Sequence, residues 1–306
     1  MSKILISGGS GAIGRALTDF LRKKGHTVNW LGREAFFAGE VICYKWDPIK
    51  GIIDPGAFHG VEHLIHLAGC NIAAQPWTKA RKTEIRDSRI KSAEFLYQCA
   101  RKHAPNISSL IGFSAIGYYG IGQGEQLCQE DSSNGEDFLA KTCVDWEKAY
   151  DAFVQADIRC TVLRVGLVLG PQMGIYRRLK PFYILGLGAS IGDPNQWLSW
   201  IHLHDLCRLV DFTIDNPRVS GVYNAVASLP VRSGEFSTQL AKSLKRPVFL
   251  PAIPERVLKI FLGERASIIC RGIRASNQKI LNTGFRFVFN TLTETLHDLN
   301  TTMSIL

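Results

Sequence analysis

The stretch Ile4-Leu5-Ile6-Ser7-Gly8-Gly9-Ser10-Gly11-Ala12-Ile13-Gly14 constrains this chain more than any other. A short apolar run, residues 3–7, reads as a buried strand and enters a glycine-rich turn. Helical periodicity leaves that turn, with Ile13, Leu17, Phe20 and Leu21 on one face. Lys23 and Lys24 followed by Gly25 mark the end of the helix. Gly8, Gly11 and Gly14 stand three apart. In a strand–turn–helix unit of this kind, one glycine permits the sharp turn and one lets the backbone approach a pyrophosphate. A third lets the helix pack on the sheet. The free N–H groups at the helix start then face the phosphates. Gly8, Ser10, Gly11, Ala12, Ile13 and Gly14 are therefore the expected phosphate cradle. The alternative is an ordinary βα turn that binds nothing.

The chain has 306 residues, 46% of them apolar, enough for one large domain or one domain with a small lobe. The net charge is 36 − 27 = +9, dispersed over pairs such as Arg81-Lys82 and Arg177-Arg178. No basic run is interleaved with aromatics, so the excess favours an anionic cofactor or substrate over nucleic acid. The eight cysteines form no CxxC pair and read as reduced thiols. The first residues read straight into a strand, so no signal peptide is expected, and no apolar run reaches the roughly 20 residues that span a bilayer. The expectation is a cytoplasmic monomer or homodimer that takes a small-molecule substrate, with no nucleic-acid or membrane partner.

Strand-like runs alternate with helical ones. Thr27–Leu31, Val41–Trp46, Glu62–Leu67, Ser109–Ser114, Arg159–Val165 and Gly221–Ala225 read as strands. Lys79–His103 and Phe138–Gln155 read as helices. The alternation predicts an α/β fold, a Rossmann-like doubly wound parallel sheet with ligand loops at the C-terminal strand ends. Residues 1–170, with 195–228 returning, make the expected dinucleotide-binding domain. Residues 171–194 and 229–306 make a smaller α+β substrate lobe. In it Leu250-Pro-Ala-Ile-Pro254 reads as a loop and Gly284-Phe285-Arg286-Phe287 as a short strand.

These residues together resemble the extended short-chain dehydrogenase/reductase family, over nearly the whole chain. The likeness sharpens at Leu67-Ala68-Gly69, at Ser114-Ala115-Ile116-Gly117-Tyr118-Tyr119-Gly120 and at Arg164-Val165-Gly166. Trp200-Ile201-His202-Leu203-His204-Asp205 is similar to that family's WIHxxD segment. Phe138-Leu139-Ala140 and Trp146-Glu147 resemble an atypical branch of NAD-dependent epimerase/dehydratase type. Its members are labelled sugar-nucleotide epimerases or sometimes cell-division inhibitors, and they carry a small C-terminal domain, here at about 246–297.

NAD selection places an acidic residue at the end of strand two. Here that strand ends Trp30-Leu31-Gly32-Arg33, and Glu34 follows Arg33. The planar donor fork of an arginine suits a 2′-phosphate, which points to NADP(H) with Arg33 on that phosphate. The other reading of Arg33 is a solvated loop residue. The resemblance adds Asp47 near the adenine, Leu67, Ala68 and Gly69 along the adenosine side, and Arg164. His66 reads as a core or sheet-end histidine.

The resemblance implies a catalytic Ser, Tyr and Lys, the last two as YxxxK on one helical face. Ser114 fits the serine. With Glu147 taken as the glutamate that follows the lysine by four, Cys143 stands at the lysine position and Leu139 at the tyrosine position. Lys141 is two residues off and points elsewhere. The literal Tyr176-Arg-Arg-Leu-Lys180 comes too late in the chain and reads as packing. Tyr118 and Tyr119 follow Ser114 in a glycine-flanked loop, and either is a candidate proton donor or a packing residue. Asn71, Gln75, Trp77 and Arg89, after strand four, and Trp200 are candidate substrate contacts. His202, His204 and Asp205 read as a connector rather than a metal site. Gly186–Gly192 reads as a cleft wall. Two functions follow: an NADP(H)-dependent oxidoreductase or epimerase, or an NADP(H)-binding sensor with little turnover.

Overall fold

A computed structural model describes residues 1–270 and 272–302; the last residues of the expected lobe, 303–306, lie outside the described residues. The main sheet consists of β1 (Lys3–Ser7), β2 (Thr27–Gly32), β3 (Phe36–Ala38), β4 (Val41–Asp47), β5 (Ile52–Ile53), β6 (His63–His66), β7 (Ser109–Ala115), β8 (Arg159–Val165) and β9 (Gly221–Ala225). Its order is β9-β8-β7-β6-β1-β2-β4-β3, with β5 on β4. All pairings are parallel except β3 and β5 against β4. Parallel strands covered on both faces read as continuous apolar runs, and Ile4, Leu5, Ile6, Leu64, Ile65, Leu110, Ile111 and Leu163 are at most 1% exposed. The α/β, Rossmann-like expectation is met. The edge strands β3 and β5, three and two residues long, are too short for periodicity to announce them.

Helix α1 (Ala12–Lys23) buries Leu17 and Leu21 and packs against α6 (Leu203–Asp215) on one face of the sheet. On the other face lie α2 (Lys79–His103), α3 (Phe138–Lys148) and α4 (Asp151–Gln155). The Thr78 hydroxyl caps α2 by accepting from Arg81 N–H at 3.2 Å, and Ile85, Ala93, Leu96 and Ala100 form its buried stripe. The helix expected over 138–155 is interrupted at 149–150. Tyr150 turns inward there, its hydroxyl donating to Phe113 O at 3.0 Å and its ring lying over Gly112. A Cβ on Gly112 would come within 2.6 Å of that ring.

Beyond β8, α5 (Gly174–Ile184), α7 (Ser233–Ser243) and the helix Leu292–Thr302 build a second mass around its own core, while α8 (Glu255–Leu262) buries none of its residues. That core includes Leu169, Tyr176, Tyr183, Trp200, Phe236, Leu240 and Leu296. Tyr176 of the literal YxxxK is buried in it and hydrogen-bonds Asn300 at 2.6 Å, a packing role as expected. The strand expected at 284–287 does not form. The N–H groups that follow it, on Val288 and Phe289, are taken by the buried Asp205 carboxylate at 2.8–3.2 Å, and Phe285 stacks edge-on against Phe287. Among the described residues no helix is long and apolar enough to cross a membrane.

Candidate functional site

The glycine turn sits at the C-terminal end of β1. Gly8 has φ +78°, which only glycine adopts without strain. A Cβ there would meet Leu67 C and Ala68 N at 3.0 Å, so the turn lies directly against residues 67–69 after β6. A Cβ on Gly14 would strike Gly9 O at 2.5 Å, which brings the helix down on the turn. Gly9 is also obligatory, because the Trp30 indole fills the place of its side chain at 2.1 Å. Gly11 is the N-cap of α1 and offers no side-chain cap, and the first turn carries no acidic residue. The N–H groups of Ala12 and Ile13 thus have no intrahelical acceptor. Ser7 Oγ, one residue before the turn, is buried without a hydrogen-bond partner. A glycine cradle, uncapped helix N–H groups and an orphaned hydroxyl fit an anionic dinucleotide.

Arg33 lies just past β2, exposed, and among the described residues has no hydrogen-bond or ion-pair partner. Glu34 beside it is exposed as well. Asp47, expected near the adenine, closes its own turn instead. Its Oδ1 accepts from the N–H groups of Ile49 and Lys50, both at 3.1 Å.

At the ends of β7, β8 and β9 a buried network forms. Glu147 on α3 accepts from Arg164 Nε at 2.9 Å and Nη2 at 2.8 Å, a bidentate pair. Arg164 Nη1 donates to Tyr119 Oη at 3.1 Å and to Glu130 O at 3.0 Å. Tyr119 Oη donates to Asn224 Oδ1 at 2.7 Å, and Asn224 N–H donates to Glu130 Oε1 at 2.8 Å. Burial alone would loosen Arg164's proton, but the Glu147 carboxylate outweighs it and holds the guanidinium charged. Arg164 is buried in this network, and every nitrogen of its fork donates within it. Tyr119 is wholly buried, and burial pushes its phenol up to about 12. It does not fit the proton-donor role.

Ser114 is where the sequence places it, at the end of β7, but its hydroxyl donates to Glu147 Oε1 at 2.7 Å. Tyr118 is half-buried, its ring under the Arg164 guanidinium at 3.3 Å, and it is the phenol outside the buried hydrogen-bond chain. Lys141 faces solvent and pairs with Glu136 at 3.1 Å. Cys143, at the lysine position, is buried, and burial pushes its thiol up to about 11, so it carries no charge near neutrality.

Of the expected substrate contacts, Trp200 is fully buried in the second core and donates to Leu229 O at 3.0 Å, so it touches no open cleft. Asn71 and Trp77 build their own loop. Asn71 Oδ1 accepts from Ala73 N–H at 2.9 Å, and Trp77 Nε1 donates to Ile72 O at 2.8 Å. Arg265 reaches that loop from beyond α8, donating to Ala73 O at 3.1 Å. Arg89 lies across Gly69, discussed below. His66 is a core histidine, hydrogen-bonded by Tyr150 and Ser92 at 2.8 and 2.9 Å. His202 stacks on Phe289 at 3.9 Å, and no group of three metal-ligating side chains converges among the described residues. Sequence reading missed Glu130, Asn224 and Gly9 as site-building residues. A buried-strand asparagine in Val222-Tyr-Asn-Ala225 was the available signal.

The family model for the NAD dependent epimerase/dehydratase family matches residues 4–226, and a domain of unknown function (DUF1731) matches residues 253–299. An epimerase family protein from Mycobacterium bovis, Mb2239, is 38% identical over 294 residues, covering 96% of each chain. The crystal structure of the human epimerase family protein SDR39U1 with NADPH is 27% identical. It covers 97% of this chain and 98% of its own, with a TM-score of 0.86. A UDP-N-acetylglucosamine 4-epimerase from Bacillus cereus, 15% identical, covers 99% of this chain and all of its own at a TM-score of 0.80, a likeness of fold alone. A matched model over most of the chain, a relative aligned nearly end to end and the NADPH-bound neighbour's fold leave one assignment: this chain belongs to the NAD-dependent epimerase/dehydratase family of extended short-chain dehydrogenases/reductases, with the small C-terminal domain of its atypical branch.

Proposed function

We propose that the protein binds NADP(H) along Gly8–Gly14 and acts as an NADP(H)-dependent oxidoreductase or epimerase on a small polar or nucleotide-linked substrate. The observation that carries the choice of cofactor is Arg33. It stands exposed and unpartnered at the end of β2, where an NAD enzyme places a carboxylate for the ribose hydroxyl. An unpaired guanidinium is a fork of donors for a 2′-phosphate. The human neighbour's crystal structure holds NADPH, which supports the same reading. The N–H groups of Ala12 and Ile13 and the bare Gly11 take the pyrophosphate, and residues 67–69 flank it.

Bound there, the nicotinamide supplies or accepts hydride. The chain's own part is to hold and polarise. Ser114, whose proton goes to Glu147, keeps lone pairs free and would accept from a substrate hydroxyl. Tyr118, half-buried and outside the buried network, is the phenol to which this reading gives the proton exchange. A specific observation favours the sensor as the second reading: Leu139 and Cys143 occupy the acid–base helix, so nothing on it lowers a phenol's pKa.

The test titrates NADPH and NADH by fluorescence against the wild-type protein and Arg33→Asp, then screens aldehydes, ketones and sugar nucleotides for loss of nicotinamide absorbance. The variant is expected to lose about 10- to 100-fold in NADPH affinity, a charge-assisted phosphate contact, with little change for NADH. Equal loss for both cofactors overturns the role of Arg33. Tight NADPH binding without turnover across the panel replaces the enzyme with the sensor.

A further inference from the structure

Arg89 is a half-buried cation with no ion-pair partner among the described residues. It projects from α2 across Gly69, whose missing side chain makes the room: a Cβ there would stand 3.0 Å from the guanidinium carbon. Its Nη1 donates to Ile85 O at 3.0 Å and Nη2 to Cys70 O at 3.1 Å, and its guanidinium lies 5.2 Å from the centroid of the Trp146 ring. The groups around it are backbone carbonyls, the Ser88 hydroxyl, an indole and the thiols of Cys70 and Cys143. None of the ion pairs among the described residues includes it. Burial pulls its pKa down, the mark of a charge that pays for its position.

Its location explains why the fold keeps it. Trp146 and Cys143 are neighbours on the inward face of α3, and Cys143 stands where the family's lysine would stand. The chain at 67–69 is pressed by Gly8 from one side and crossed by Arg89 from the other. The cation therefore reaches the junction of the glycine turn, the β6 loop and α3, which is the place the absent lysine would charge.

We infer that Arg89, carried by α2, supplies from the facing helix the positive charge that Cys143 removed from α3, and that it serves the bound cofactor's hydroxyl-rich side and an oxyanion developing beside it. An arginine keeps its charge where a lysine in the same setting would titrate. Arg89 thus acts by its field and its donors and never as the proton source. The inference rests on the reading of the site as an NADP(H) site.

The test pairs binding with stability. Arg89→Met is expected to weaken NADPH binding by about 10-fold or more while the melting temperature of the cofactor-free protein holds or rises, because a half-buried charge without an ion-pair partner has been removed. Arg89→Met/Cys143→Lys, which returns the charge to α3, is expected to restore NADPH binding. Cys143→Lys alone sets two cations side by side and is expected to lower the melting temperature, an effect the double variant relieves. Two results overturn the inference: Arg89→Met that melts early yet binds NADPH as the wild type does, or a Cys143→Lys charge that neither restores binding nor couples to Arg89 in the melting temperatures. Should the wild-type protein bind no NADP(H), the functional reading falls, whereas the thermal cycle still reports whether the charge sits at residue 143.

Discussion

At Ser114 the direction of one hydrogen bond changes what the residue does. Its place at the end of β7 is legible from the apolar run before it, but that its proton goes to Glu147 depends on a residue 33 positions away and on Arg164 fixing that carboxylate in place. The same holds for His66. Its position after an apolar run marks a sheet end, whereas its neutrality follows from complete burial, which with the nearby Arg89 charge lowers its pKa to about 3. Folded His66 stays neutral while the unfolded chain takes up a proton near pH 6.5. The stability it contributes is full above that pH and is lost as pH falls toward 3. We expect a loss of roughly 2 kcal/mol between pH 6.5 and 5 from this group. Urea unfolding across that range should show a steeper decline for the wild type than for His66→Gln; matching slopes would contradict the assignment.

The glycine turn shows the same division at the level of an element. Gly8, Gly11 and Gly14 announce the strand–turn–helix, and β1 and α1 form as expected. Gly9 belongs to no motif of the spacing, yet Trp30 of β2 occupies its side-chain volume and donates to Thr18 Oγ1 at 2.8 Å. Gly9→Ala is expected to cost about 2–4 kcal/mol by displacing that indole and breaking its hydrogen bond. Gly11→Ala meets only Gly8 O at 3.3 Å and should melt near the wild-type temperature while weakening NADPH binding. Thermal melts and cofactor titration of the two variants check the contrast. The residues read as one helix over 138–155 make two, since Tyr150 prefers a buried place over Gly112 to a continued helical face. No local pattern carries that preference.

Across the whole molecule, Asp205 pins the stretch of chain that leads from Phe287 in the main core to Leu292 in the second. It sits on α6, fully buried, and accepts from the N–H groups of Val288 and Phe289 and from Arg208. Asp205→Asn exchanges one acceptor oxygen for a donor that faces those N–H groups, and should cost about 2–4 kcal/mol. Hydrogen exchange should then show residues 285–302 opening before the main sheet, and uniform protection across the chain would argue against the tie. By itself the sequence determined the alternation of strands and helices, the glycine turn, the acid-free end of β2 at Arg33, and the loss of Tyr and Lys from α3. These are local patterns, written in consecutive residues. Only the tertiary structure decided that Ser114 and Tyr119 are bound into a buried network and that Trp200 is core. It alone brought Arg89, from a distant helix, to the side of Cys143. Burial and the partners of a polar group are set by residues far apart in the chain, and no short window of sequence contains both ends of such a contact.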